Sequence, residues 1–131
     1  MKGTCLCQSV TIESNELNEF EACHCSMCRR WGGGPFLSVH CKIGINITGR
    51  EHIKTYNSSE WAERAFCQHC GTHLYYHLKP TDDYMVPVGL FEKETNFTFK
   101  QQIFIDKKPN FYAFSNETEN LTEQQVFEKF S

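Results

Sequence analysis

Seven of the eight cysteines fall into two groups whose spacing is that of metal-chelating turns. Cys5-Leu6-Cys7 and Cys67-Gln68-His69-Cys70 are two short chelating pairs, each able to supply half of a tetrahedron from a separate turn. Cys23-His24-Cys25-Ser26-Met27-Cys28 places three sulfurs within six residues. Four thiolates close a tetrahedral zinc site, whereas three leave one position open for water or an incoming ligand. The first set therefore reads as architecture and the second as chemistry.

Three thiolates around Zn2+ carry a net charge of -1, so a thiol taking the open position loses its proton yet stays nucleophilic. Such a site suits addition of sulfur to an aldehyde carbon better than hydrolysis by a strongly acidified water. Closure by a fourth protein ligand is the competing reading, with Cys41, His24 and His40 as candidates. His24 alternates with two of the expected ligands and is expected to point away from them. Arg29 and Arg30 follow the cluster directly, where guanidinium groups offset excess thiolate charge or receive the carboxylates of an anionic cosubstrate. A solvated surface turn is their plainer reading. Redox use of Cys67-Gln68-His69-Cys70 leaves the Cys5 pair unexplained, and His69 inside that turn is expected to make a local hydrogen bond.

These groups need a scaffold, and 131 residues with 40% hydrophobic content, eleven Phe, five Tyr and two Trp suffice for one domain spanning residues 1–131. Thirteen basic against sixteen acidic residues give a net charge of -3 without a basic stripe, so nucleic acid is not an expected partner. No stretch approaches the roughly 20 apolar residues that cross a bilayer, and no leader is legible at Met1-Lys2-Gly3-Thr4. The expectation is a soluble, cytoplasmic protein. In that reducing compartment the cysteines are metal ligands or catalytic thiols rather than disulfides.

Short β-rich runs recur at Val10–Ile12, Phe36–Cys41, Ile43–Ile47, Glu51–Tyr56, Trp61–Cys67, Thr72–His77, Tyr84–Val88 and Gln102–Ile105, separated by Gly, Asn, Asp and Pro. An all-β domain follows. Cys23 is expected at the end of a strand, with Ser26 capping a helical turn from Met27 to Trp31 that Gly32-Gly33-Gly34-Pro35 stops. Thr122 and Gln125 have capping-box spacing, predicting a short C-terminal helix docked through Val126, Phe127 and Phe130.

Gly3-Thr4-Cys5-Leu6-Cys7, the run from Cys23 through Arg29-Arg30-Trp31-Gly32-Gly33-Gly34-Pro35-Phe36, and Phe66-Cys67-Gln68-His69-Cys70-Gly71-Thr72 together resemble the glutathione-dependent formaldehyde-activating enzyme family, whose domain is shared with centromere protein V. The resemblance runs from Gly3 to about Tyr112, leaving residues 113–131 as an extension. It implies a β-tent fold with two zinc ions per chain, one structural on Cys5, Cys7, Cys67 and Cys70 and one catalytic on Cys23, Cys25 and Cys28. It also implies addition of glutathione to formaldehyde, a carbon-sulfur lyase reaction read in reverse, with a small thiol and an aldehyde as partners. Three departures stand out: Gly3-Thr4 stands for the family's usual Gly-Gly before the first cysteine, Gln8 replaces the frequent Gly after the second, and Phe111 stands where Trp is common. The reading from a different class is a non-catalytic, zinc-stabilised protein-interaction module, which a fourth protein ligand on the second metal would favour.

Overall fold

The computed structural model describes residues 1–42, 44–94 and 96–130, without the side chain of Phe130. Eleven strands and two short helices are present among these residues, the all-β class with a C-terminal helix that the sequence predicts. The chain forms two compact units, Met1–Asn18 with Ser38–Asn96 and Glu19–Leu37 with Phe97–Ser131.

In the first unit, β1 (Lys2–Thr4), β2 (Thr11–Glu13) and β5 (Asn46–Thr48) make a three-stranded antiparallel sheet. A second antiparallel array runs in the order β4 (Phe36–Cys41, its Ser38–Cys41 part), β9 (Asp83–Pro87), β8 (His73–Leu78), β7 (Ala62–Cys67), β6 (Ile53–Asn57). Val10, Ile12, Val39, Leu74 and Val86 are fully buried and, with Phe91, belong to the core of this unit. Strand pairing carries Cys67 to the end of β7 opposite Ile53, where the chain turns through Cys70. Gly49 shows how tightly this unit packs: at φ +89° a Cβ there would lie 2.0 Å from the Ser9 carbonyl oxygen.

In the second unit, β10 (Thr98–Ile103) pairs in parallel with both β3 (Glu19–Cys23) and β11 (Glu119–Leu121). Phe20 stacks on Phe99 at 4.8 Å, and Phe99 meets Phe114 edge-on at 5.0 Å. α1 (Ser26–Gly32) follows β3 after two residues, and α2 (Glu123–Phe130) closes the chain. At the start of α2 the capping box is reciprocal: Gln125 N donates to Thr122 Oγ1 (3.2 Å) and Thr122 N to Gln125 Oε1 (2.8 Å). Among the described side chains of α2, Val126 is the buried one and Phe127 is largely exposed and edges Phe104; the Phe130 side chain, expected to dock, is not among them.

Several boundaries differ from the sequence reading. The cap of α1 is Cys25, not Ser26: its sulfur accepts from Cys28 N at 3.4 Å and its backbone is extended. The strand expected at Gln102–Ile105 lies earlier, at Thr98–Ile103, because Phe104 turns into the left-handed region and starts a 3-10 turn. Arg50–His52 is likewise a 3-10 turn, so the following strand starts at Ile53. Of the run expected at Ile43–Ile47, Ile43 is outside the described residues and the strand is Asn46–Thr48.

Replacing Gly49 with Ala forces a left-handed Cβ onto the Ser9 carbonyl, and a loss of at least roughly 1–3 kcal/mol in urea unfolding is expected.

Candidate metal centres

Cys5, Cys7, Cys67 and Cys70 converge in the first unit, their sulfurs all within 4.8 Å of one another. Cys7 Sγ lies 3.7 Å from both Cys5 Sγ and Cys67 Sγ. Sulfurs bonded at ~2.3 Å to one tetrahedral ion stand ~3.8 Å apart, so this spacing fits a shared metal. Each half is held by its own turn. Gln8 N donates to the Cys5 carbonyl (3.0 Å) and Cys5 N to the Val10 carbonyl (3.1 Å). On the other side Gly71 N donates to the Cys67 carbonyl (2.8 Å) and Cys67 N to the Thr72 carbonyl (2.9 Å). Gly71 makes that return at φ +77°, a conformation glycine adopts without steric cost. Gln8 stands at φ +67° with a side chain, at the position where the resembling family frequently has Gly.

The four thiols are electrostatically unequal. The Thr72 hydroxyl, 3.2 Å from Cys70 Sγ, is the main cause that lowers that thiol to about 5. Ser9, 3.2 Å from Cys7 Sγ, lowers Cys7 as well. Burial pushes Cys5 up to about 11. Hydroxyl contacts thus ease ionisation of the two more exposed sulfurs, while buried Cys5 holds its proton more tightly until a cation displaces it.

Cys23, Cys25 and Cys28 converge in the second unit, again within 4.8 Å. Pairing of Cys23 with Ile103 places the first sulfur at the end of β3, and one turn of α1 aligns the other two. Cys23 and Cys28 are buried and Cys25 half-buried. The neighbouring thiols of Cys25 and then Cys28 push the Cys23 thiol far above its ordinary range, with burial adding to it. All-sulfur donors crowded this closely fit a soft or borderline cation, which removes the cause of that shift.

The other residues considered as fourth ligands are engaged elsewhere. Cys41 is buried with its sulfur toward the Val39 carbonyl (3.9 Å), and burial raises its thiol. His40 Nε2 stands 3.2 Å from Asp83 Oδ2. His24, fully buried, uses both ring nitrogens: Nδ1 is 2.8 Å from Tyr112 Oη and Nε2 is 2.7 Å from Gln102 Oε1. Gln102 Nε2 donates to Thr118 Oγ1 (2.9 Å), which donates to Asn120 Oδ1 (2.7 Å). The direction of this chain places the His24 hydrogen on Nε2, so Tyr112 donates to Nδ1. His24 is therefore a neutral fold residue, as its alternation with the cysteines predicts. Sequence reasoning missed Gln102, Tyr112 and Thr118 in this role.

Arg29 and Arg30 lie in the last turn of α1, where they complement the helix C-terminus. Arg29 is half-buried, its Nε donating to the His24 carbonyl at 2.9 Å, and Arg30 is exposed. His69 does not bond locally; its partner is His52, seventeen residues away in sequence.

A model of the family described as glutathione-dependent formaldehyde-activating enzyme matches residues 1–107. The chain belongs to this family. It is also 35% identical over 127 residues to an uncharacterized lyase of Schizosaccharomyces pombe, covering 95% of this chain and 93% of that protein. The crystal structure of a Rhodobacter sphaeroides protein is similar in fold, with a TM-score of 0.62 and 29% identity over 72% of this chain and 91% of that one. Membership brings small-molecule substrates into view. Among the described residues no helix is long and apolar enough to cross a membrane.

Two outcomes follow for the buried network of this family member. Gln102→Leu strands the His24 Nε2 hydrogen in the interior, and urea unfolding should show a loss of about 1–3 kcal/mol. Burial holds the His24 pKa below its ordinary 6.5, so the unfolded chain binds the extra proton. This contribution is complete above about pH 6.5 and is lost as pH falls toward the lowered folded value. The urea midpoint of the metal-loaded wild type should therefore drop more between pH 7 and pH 5 than that of His24→Gln.

Proposed function

We propose that this chain is a zinc-dependent enzyme of the carbon-sulfur lyase type that joins a small thiol, glutathione in the first instance, to formaldehyde or another small aldehyde. The supporting observation is the convergence of Cys23, Cys25 and Cys28 while His24, His40 and Cys41 are engaged elsewhere. In this reading Cys5, Cys7, Cys67 and Cys70 hold a structural zinc, and Cys23, Cys25 and Cys28 hold a second one. Zinc with three thiolates supplies a Lewis-acidic centre that favours the deprotonated form of a thiol taking the remaining position.

The chain's own residues set the conditions for that chemistry. Cys28 N donates toward Cys25 Sγ, drawing charge off one sulfur without removing it as a donor. β3 and α1 fix the three sulfurs before any substrate arrives, so little ordering remains at the moment of reaction. Neutral His24 braces the backbone between Cys23 and Cys25 through Gln102 and Tyr112. Arg29, anchored through Nε, and Arg30 offer guanidinium donors to the carboxylates of an anionic thiol such as glutathione. In the net reaction a carbon-sulfur bond forms, the carbonyl π bond breaks, and the proton lost by sulfur ends on the former carbonyl oxygen. Holding thiol and aldehyde together makes this addition effectively unimolecular.

The test combines metal content with turnover. Wild type purified with zinc should carry two ions per chain and speed appearance of the hydroxymethyl thioether from glutathione and formaldehyde, read by NMR. Cys28→Ala should lose one ion and roughly 100-fold or more of the rate, while Cys41→Ala keeps both. A Cys28→Ala protein that keeps two ions and the full rate would overturn the assignment.

A further inference from the structure

Outside the two cysteine groups, the geometry points to a third metal site, a two-histidine chelate formed by His52 and His69 that takes a divalent ion with cis, right-angled coordination such as Ni2+ or Cu2+. His69 Nε2 and His52 Nδ1 are 2.9 Å apart, with the rings tilted 55° to one another at a centroid distance of 4.8 Å. Nitrogens bonded at ~2.0–2.1 Å stand about 2.9 Å apart when the angle at the ion is near 90°, and about 3.3–3.4 Å when it is tetrahedral. The observed separation is that of the hydrogen bond the two rings share, and it is also the span of a right-angled chelate, the geometry of Cu2+ and Ni2+.

Both rings are carried by fixed backbone. His52 ends the 3-10 turn Arg50–His52, and its carbonyl accepts from Gln68 N at 2.8 Å, tying it to the turn that presents His69. Gln68 Nε2 reaches back to the Glu51 carbonyl at 3.5 Å. The two rings are therefore neighbours before an ion arrives, and a turn of each brings both lone pairs onto one ion.

Glu51 supplies the orienting contact that metal-bound histidines commonly have. Its Oε1 lies 3.4 Å from His52 Nε2, within ion-pair distance, which favours the tautomer with the hydrogen on that nitrogen and the Nδ1 lone pair toward His69. Without an ion, His69 Nε2 donates to that lone pair. With an ion, His69 shifts its hydrogen to Nδ1 and presents its own Nε2 lone pair. The exchange replaces one hydrogen bond with two metal-nitrogen bonds, with water completing the shell. His69 is exposed and His52 half-exposed, so solvent reaches the site.

The zinc-loaded protein titrated with Ni2+ alone, followed by calorimetry and near-ultraviolet absorption, should take up one Ni2+ per chain with no zinc released and no thiolate-to-nickel band. His52→Ala and His69→Ala should each weaken that binding at least 10-fold, and Glu51→Gln by about 10-fold. Zinc content of the variants checks that the fold persists. In the unmutated chain, paramagnetic broadening confined to the imidazole signals of His52 and His69 reads the ligands directly. Ni2+ affinity unchanged from wild type in both alanine variants, broadening centred elsewhere, or uptake only at the expense of zinc would overturn the site.

Discussion

Crowding of sulfur governs this molecule. Thiols that share a span of 4.8 Å cannot all ionise in a protein interior without a cation, because each thiolate raises the cost of the next. Cys23 shows the effect most strongly, its proton held by Cys25 and Cys28 before burial adds to it. A cation removes that repulsion and turns it into attraction. Metal uptake and the stability of the surrounding turns are then one equilibrium, since the unfolded chain does not hold the sulfurs together.

The two groups meet this condition differently. Around Cys7 and Cys70, the neighbouring hydroxyls of Ser9 and Thr72 lower the thiols on the more accessible side of the group. The three-cysteine group has a backbone N–H on Cys25 and burial of Cys23 and Cys28 in place of those hydroxyls. The proposed division between architecture and chemistry follows this line. A four-sulfur set saturates a tetrahedral ion, while three sulfurs held by a strand end and a helix cap leave it unsaturated.

His24 shows how adjacent residues divide the work. Its neighbours in sequence go to the sulfur cluster, while its ring turns into a chain of hydrogen bonds running head to tail from Tyr112 to Asn120. Both ring nitrogens of His24 have a partner, which is what makes a fully buried imidazole tolerable. The loop bearing Cys25 is steadied from behind, because Arg29 also holds the His24 carbonyl.

Cysteine spacing by itself determined the two groups, the strand-to-helix step at Cys23–Cys28 and the turn of His24 away from the sulfurs, because chelating turns and strand alternation are local geometry. The capping box at Thr122 and Gln125 was legible for the same reason. Tertiary structure alone decided the rest. His24 meets Tyr112 and Gln102 across 88 and 78 residues, and His52 meets His69 across seventeen, separations that leave no periodic mark in a sequence. The cap of α1 fell to Cys25 rather than Ser26 because the sulfur had to face Cys28 in any case, a demand set by the assembled cluster that residue preference does not express.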